Sequence, residues 1–233
     1  ATWDRRYLWH PFTQMQEWER EDPVIIERGK GSYLIDTEGK KYLDGTSSIW
    51  VNLHGHRHPI LDRAIKRQLD KIAHSTFLGL SNPPAIELAR ELIRIAPKGL
   101  TRVFYSDNGS TAVEIALKMA VQYWQQRHPK AGPKNTFLHL KLAYHGDTIG
   151  AVSVGNIALF HSRFKPLLFP TLEAEPPHCY RCPLNLTHPS CQMACLDPLE
   201  QLVQRRHKDL AGFIIAPVMQ AAAGMLPQPS GYL

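Results

Sequence analysis

The sequence predicts an α/β fold with a mainly parallel sheet. Three observations carry this. Short β-prone runs alternate with segments of helical period, one β-prone run passes through a tight loop into a long helical segment, and no internal repeat or low-complexity tract interrupts the alternation. The 233 residues are 43% hydrophobic and 21% charged, close to globular averages and long enough to bury a sizeable core.

Residues 1–30 are polar and aromatic with Pro11 and Pro23, and read as an irregular arm. From Gly31, GSYLIDTEGKKYLDG alternates apolar and polar residues on both sides of Thr37, Glu38, Gly39 and Lys40, the pattern of a hairpin. Residues 60–74 place Leu61, Ile65, Leu69 and Ile72 on one helical face, and residues 83–96 open with prolines suited to a first turn and end before Pro97. Residues 101–106 (TRVFYS) read as a buried strand, followed by a helix over 111–128 with Val113, Leu117, Ala120, Val121 and Trp124 at helical spacing. Residues 135–140 and 212–216 read as further buried strands. The helix between them has Asp197 as cap and Pro198 at its first position. Residues 170–195 are rich in Pro, His and Cys, lack periodicity and read as a loop insertion.

Residues 105–118 (YSDNGSTAVEIALK) hold the chemistry most directly. Unpaired backbone N–H groups at a helix start, with the helix dipole, favour an anion such as phosphate. Gly109 lets backbone approach closely and Ser110 adds a hydroxyl donor, while Thr111 and Glu114 fit a capping box. An ordinary strand-to-helix turn could have the same appearance.

Ser106, Asp107, Asn108, Gly109 and Ser110, then Ala112, Val113, Glu114 and Lys118, resemble the cofactor-phosphate segment of the class III pyridoxal-phosphate aminotransferases. Ala143, Tyr144, His145, Gly146, Asp147 and Thr148 resemble the same family's aromatic platform, in which the tyrosine ring covers one face of the pyridine. Three more segments, WHPFTQM from Trp9, DGTSSIW from Asp44 and HGHRHP from His54, resemble its diaminopelargonic acid aminotransferase branch. The resemblance implies a fold-type I transferase, with an incomplete large domain and the amino-terminal segment of the small one. Residues 1–58 would be arm and hairpin, and residues 59–233 the partial cofactor-binding domain. It implies that Asn108, Gly109, Ser110 and Tyr144 hold pyridoxal 5'-phosphate, and that Phe12, Trp50 and Tyr144 wall a pocket for 8-amino-7-oxononanoate. S-Adenosylmethionine is the usual donor of that branch, and a homodimer its expected assembly.

Departures from the pattern bear on these expectations. Phe12 stands where a tyrosine is usual, so a hydroxyl toward the donor is missing. Ile49 replaces an aromatic residue of some members, and Ala216 stands where a glutamate normally precedes the proline. Donor identity stays open, with lysine the alternative. By resemblance, the anchoring lysine and the aspartate that pairs with the pyridine nitrogen correspond to no residue here, so the chain by itself is expected to be inactive.

Cys179, Cys182, Cys191 and Cys195 give C-x2-C-x8-C-x3-C with His178 and His188 interleaved, a spacing that permits zinc, although four reduced thiols fit it equally. The net charge of +6 is scattered, and Arg205, Arg206, His207 and Lys208 read as a solvated helix face, so no nucleic acid is expected. No apolar stretch suggests a membrane span or signal peptide, and a cytoplasmic address is the default. The alternatives to an aminotransferase are a non-catalytic half-enzyme partner and a zinc- or nucleic-acid-binding module.

Overall fold

The structure, a computed structural model, describes residues 1–129 and 132–233. Contacts group Ala1–Thr101 as one compact unit and Arg102–Leu233 as another. The first unit opens with two short helices, α1 (Thr2–Tyr7) and α2 (Met15–Trp18), inside the segment expected to be irregular. They are joined through Asp4, whose carboxylate accepts the Trp18 indole N–H at 2.9 Å and meets His10 at 3.1 Å. An antiparallel sheet follows in the order β1 (Ile26–Lys30), β2 (Tyr33–Asp36), β3 (Lys41–Leu43), so the expected hairpin gains a third strand. Asp36 closes its turn, accepting the Glu38 and Lys40 N–H groups and the Tyr42 hydroxyl at 2.8–3.0 Å.

α3 (Ser47–Trp50) is a single turn in which all four residues have positive φ, a left-handed path unfavourable for L-residues and most of all for β-branched Ile49. Asp44 restrains it, accepting the Ser48 N–H and hydroxyl at 2.8 Å while meeting His56 at 2.8 Å. α4 (Pro59–Leu69) and α5 (Pro83–Ile95), expected with the larger segment, lie in this first unit. Both begin with proline, whose missing N–H costs nothing there, and Asn82 caps α5 by accepting the Ala85 N–H.

The second unit is built on a parallel sheet in the order β5 (Leu172–Ala174), β4 (Thr136–Leu140), β6 (Leu210–Ile214). Successive side chains of β4 point to opposite faces, and both faces are covered. Phe137 packs with Leu117, Val154 and Ala211 under α6 (Gly109–Arg127), while Leu138 and Leu140 pack with Ala174 and Tyr232 under α9 (Leu196–Arg206). The short helices α7 (Ile149–Ser153) and α8 (Ala158–His161) come between β4 and β5 in the chain, and a small hairpin, β7 (Met219–Gln220) and β8 (Leu226–Pro227), follows β6.

Four expectations are corrected. Residues 101–106 join none of the described sheets, and Phe104 is exposed; β4 instead takes both its neighbours from sequence far downstream. α6 begins at Gly109, because Asn108 is extended and its side chain accepts the Thr111 N–H, making Asn108 the cap and Thr111 its reciprocal partner. α9 begins at Leu196, since Cys195 already has helical dihedrals and Asp197 falls within the first turn. The stretch 170–195 is not all loop, because residues 172–174 complete the parallel sheet.

Candidate functional site

The site grows from the first turn of α6. The capping box uses the N–H groups of Asn108 and Thr111, and the Thr111 hydroxyl donates to Asp107 Oδ1 at 2.6 Å, holding that carboxyl below its usual range. The N–H groups of Gly109 and Ser110, the first two of the helix, are left without an acceptor among the described residues. Open space lies where a side chain on Gly109 would be. Two unused donors at the positive end of a nineteen-residue helix, with room in front of them, fit a phosphate.

The loop carrying Tyr144 packs onto the same helix. The Asp147 N–H donates to Ser110 Oγ at 3.2 Å, and the Tyr144 hydroxyl donates to Asp147 Oδ2 at 2.6 Å. Asp147 thus links Tyr144 to the helix start. Burial, then the hydrogen bond to Asp147, pushes the Tyr144 phenol up to about 12, so it stays protonated. Around its ring, Phe160 stands edge-on at 6.3 Å and His161 lies nearly parallel at 6.2 Å between centroids. His145 next to it is pushed down to about 4 by burial, with His139 nearby, and its Nε2 is buried without a hydrogen-bond partner among the described residues.

Glu114 was expected to bond back to its own helix start; instead its carboxylate crosses to α7. Oε1 accepts the Thr148 hydroxyl at 2.5 Å, the Gly150 N–H at 2.7 Å and the Ala151 N–H at 3.2 Å. Short α7 therefore gets its cap from a residue more than thirty positions away, which no local pattern announces.

Phe12 and Trp50 lie in the first unit, both exposed and both with positive φ. Asn108, Gly109, Ser110 and Tyr144 come together in the second. The Lys141 ammonium, beside the platform in sequence, pairs with Glu175, which holds it protonated.

Cys179, Cys182, Cys191 and Cys195 line one narrow cavity with His178 and His188, but the zinc site that their spacing permits does not form among the described residues. Among the described residues no group of three or more His, Cys, Asp or Glu side chains is placed to hold a metal ion. Cys195 is used otherwise. It packs as an apolar side chain against the cluster containing Leu138 and Tyr232, and burial pushes its thiol up. Cys179 is exposed on a separate turn.

Comparison with known proteins places these features in a family. The Aminotransferase class-III model matches residues 14–233. The chain is 54% identical over 232 residues to the adenosylmethionine-8-amino-7-oxononanoate aminotransferase of Geobacter sulfurreducens, covering 99% of this chain and 51% of that protein. The namesake protein of Staphylococcus aureus is 52% identical, again over 99% of this chain and 51% of its own length. The crystal structure of the Methanocaldococcus jannaschii enzyme of the same name superposes with a TM-score of 0.89 at 47% identity, covering 99% of this chain and 49% of that one. An amine transaminase from an uncultivated Pseudomonas species, solved with pyridoxal phosphate bound, superposes at 0.87 with 33% identity, over 97% of this chain and 51% of that one. The chain spans about half the length of the relatives it matches. With the family model covering nearly all of it, the chain belongs to the class-III aminotransferases, pyridoxal-phosphate enzymes of fold-type I.

Proposed function

We propose that this chain provides the phosphate cup and ring platform of an aminotransferase that converts 8-amino-7-oxononanoate to 7,8-diaminononanoate in biotin synthesis. The observation that carries the reading is the docking of the Tyr144–Asp147 loop on the first turn of α6, which ties the Tyr144 hydroxyl through Asp147 to Ser110, at a helix start with two unused N–H groups. The names of the relatives supply the substrate. Bound pyridoxal phosphate supplies the electron sink for amino transfer. The Gly109 and Ser110 N–H groups would take its phosphate, and the Ser110 hydroxyl, whose oxygen accepts the Asp147 N–H, would add a further donor. Tyr144, protonated throughout the neutral range, would stack on the ring. Phe12 and Trp50 would wall the aliphatic chain of the substrate. Their left-handed backbone supports a functional use, since such strain persists where the surroundings enforce it. S-Adenosylmethionine, the compound in the relatives' names, is the proposed donor with lysine as the alternative, and a cytoplasmic homodimer is the proposed form of the enzyme.

No lysine of this chain is assigned as the cofactor's anchor: Lys141 is held protonated by Glu175, and Lys118 is exposed on α6. The test is an absorbance titration of the protein with pyridoxal phosphate, then borohydride reduction, peptide mapping and mass-spectrometric assay of 7,8-diaminononanoate with S-adenosylmethionine or lysine as donor. Saturable binding weakened by Tyr144→Ala, without a single reduced site, is the expected result. A stoichiometric adduct on one lysine with turnover would show that the chemistry lies on residues other than those named, and loss of saturable binding altogether would remove the cup.

A further inference from the structure

We propose that Glu114 is a positioning residue that sets the distance between phosphate cup and ring platform; this rests on the cofactor reading above. Ser110 and Glu114 are four apart on α6 and so share one face of the helix. Ser110 accepts the Asp147 N–H, and Glu114 accepts Thr148, Gly150 and Ala151 through a single carboxylate oxygen. Together they hold residues 147–151 at four points along one helix face.

Two glycines allow the contact to be this close. A Cβ on Gly146, where φ is +123°, would come within 2.7 Å of Ser110 Cβ and 2.9 Å of Ser110 Cα. A Cβ on Gly150 would come within 2.7 Å of Glu114 Cδ. The loop backbone is therefore pressed directly against the turns that carry Ser110 and Glu114. Each hydroxyl or N–H bonded to Glu114 would need another acceptor if the carboxylate were removed, and the N-terminus of α7 would lose its cap.

Tyr144 sits at the other end of this arrangement, tied to Asp147. Helix α6 thus holds both parts of the reading, the cup through its own N–H groups and the platform through Ser110 and Glu114. Removing Glu114 leaves the Gly109 and Ser110 N–H groups in place and frees the loop to move away, so a ligand that uses both ends suffers and one that uses only the cup does not.

The experiment compares two probes on the full chain. Inorganic phosphate engages the cup alone. Pyridoxine 5'-phosphate engages cup and ring and has no aldehyde to react with lysine. Glu114→Ala is expected to weaken pyridoxine 5'-phosphate by roughly 3- to 10-fold, the worth of one aromatic stack, with phosphate changed by less than about 2-fold. Glu114→Gln, which keeps an oxygen at the same place, is expected to leave both probes bound as by the unaltered chain. Should Glu114→Ala not fold, Thr148→Val removes a single bond to Glu114, and the same selective loss is expected at smaller size. Equal weakening of both probes, or no weakening of either, overturns the positioning role. Tyr144→Ala separates the two readings. If it leaves the preference for pyridoxine 5'-phosphate over phosphate intact, the platform reading falls. If it abolishes that preference while Glu114→Ala and Thr148→Val do not alter it, the inference about Glu114 alone falls.

Discussion

Residues 1–101 and residues 102–233 are held together by different means. Among the described residues, every buried apolar side chain lies in the second unit, from Leu117 to Tyr232, while the one buried side chain of the first is the carboxylate-bearing Asp36. In the first unit the antiparallel sheet and the turn network of Asp36, Asp4 and Asp44 supply the order, and the apolar stripe of α4 stays open to solvent while Leu92 and Ile93 of α5 are half-buried. In the second, a three-stranded parallel sheet is packed on both faces. An amphipathic pattern thus correctly announces a helix without saying whether its apolar face is covered. Sheets buried on both sides demand apolar burial, whereas a hairpin can be closed by local polar bonds.

The largest effect expected from this contrast is on stability. Leu138→Ala, at a fully buried position of β4, should cost about 2–5 kcal/mol, whereas Ile65→Ala on exposed α4 should change stability by about 0.5 kcal/mol or less. Urea unfolding of the two variants checks this, and similar costs would mean that the α4 stripe is covered in solution.

The two units should also differ in acid. His145 titrates near 6.5 when unfolded but near 4 when folded, so its contribution is intact above 6.5 and is lost as pH falls from 6.5 to about 4. The loss amounts to up to about 3 kcal/mol. Asp36 has the opposite kind of group but the same sign. The Tyr42 hydroxyl, with the Lys40 and Glu38 N–H groups, lowers its carboxyl, so its contribution is intact above 3.8 and is lost only as pH falls through the lowered folded value. Urea unfolding at pH 7, 5 and 4 should show a slope that His145→Gln reduces, with buried His161, also held down by burial, carrying part of the remainder. A slope unchanged by the substitution would assign the acid sensitivity away from His145.

The smallest effect is a cap. Asn82→Ala should cost about 1 kcal/mol and speed amide exchange within Pro83–Ile95 without altering exchange in β4. Exchange that rises equally in β4 would show that the two units unfold together.

What was legible in the sequence follows the range of the interaction. The hairpin, the helices α4, α5 and α6, and the strands β4 and β6 carry their signals within a dozen residues or so. β5 was hidden because a three-residue strand with a charged centre has no period to read, and residues 101–106 were over-read because a β-prone run says nothing about its partner. In the candidate site, the helix start was legible from its own turn residues, whereas Tyr144 was legible only through family resemblance. Their connection was not, since Asp147 to Ser110 and Thr148 to Glu114 span 37 and 34 positions. The zinc reading that the cysteine spacing permits falls away for a related reason, as spacing along a chain does not fix where packing sends each thiol.

Trp124 offers an optical consequence of the way α6 meets the sheet. Its indole N–H donates to the Ala211 carbonyl at 2.8 Å across 87 positions, and the Lys134 ammonium lies 3.9 Å from its ring centroid. The other tryptophans, Trp3, Trp9, Trp18 and Trp50, all fall before residue 102. Subtracting the emission spectrum of a Trp124→Phe variant from that of the unaltered chain therefore isolates the light from one indole at the α6–β6 junction. A red shift of that difference spectrum marks the moment water reaches the helix–sheet seam, which lets opening of the second unit be timed by stopped-flow while the remaining four indoles report on the first.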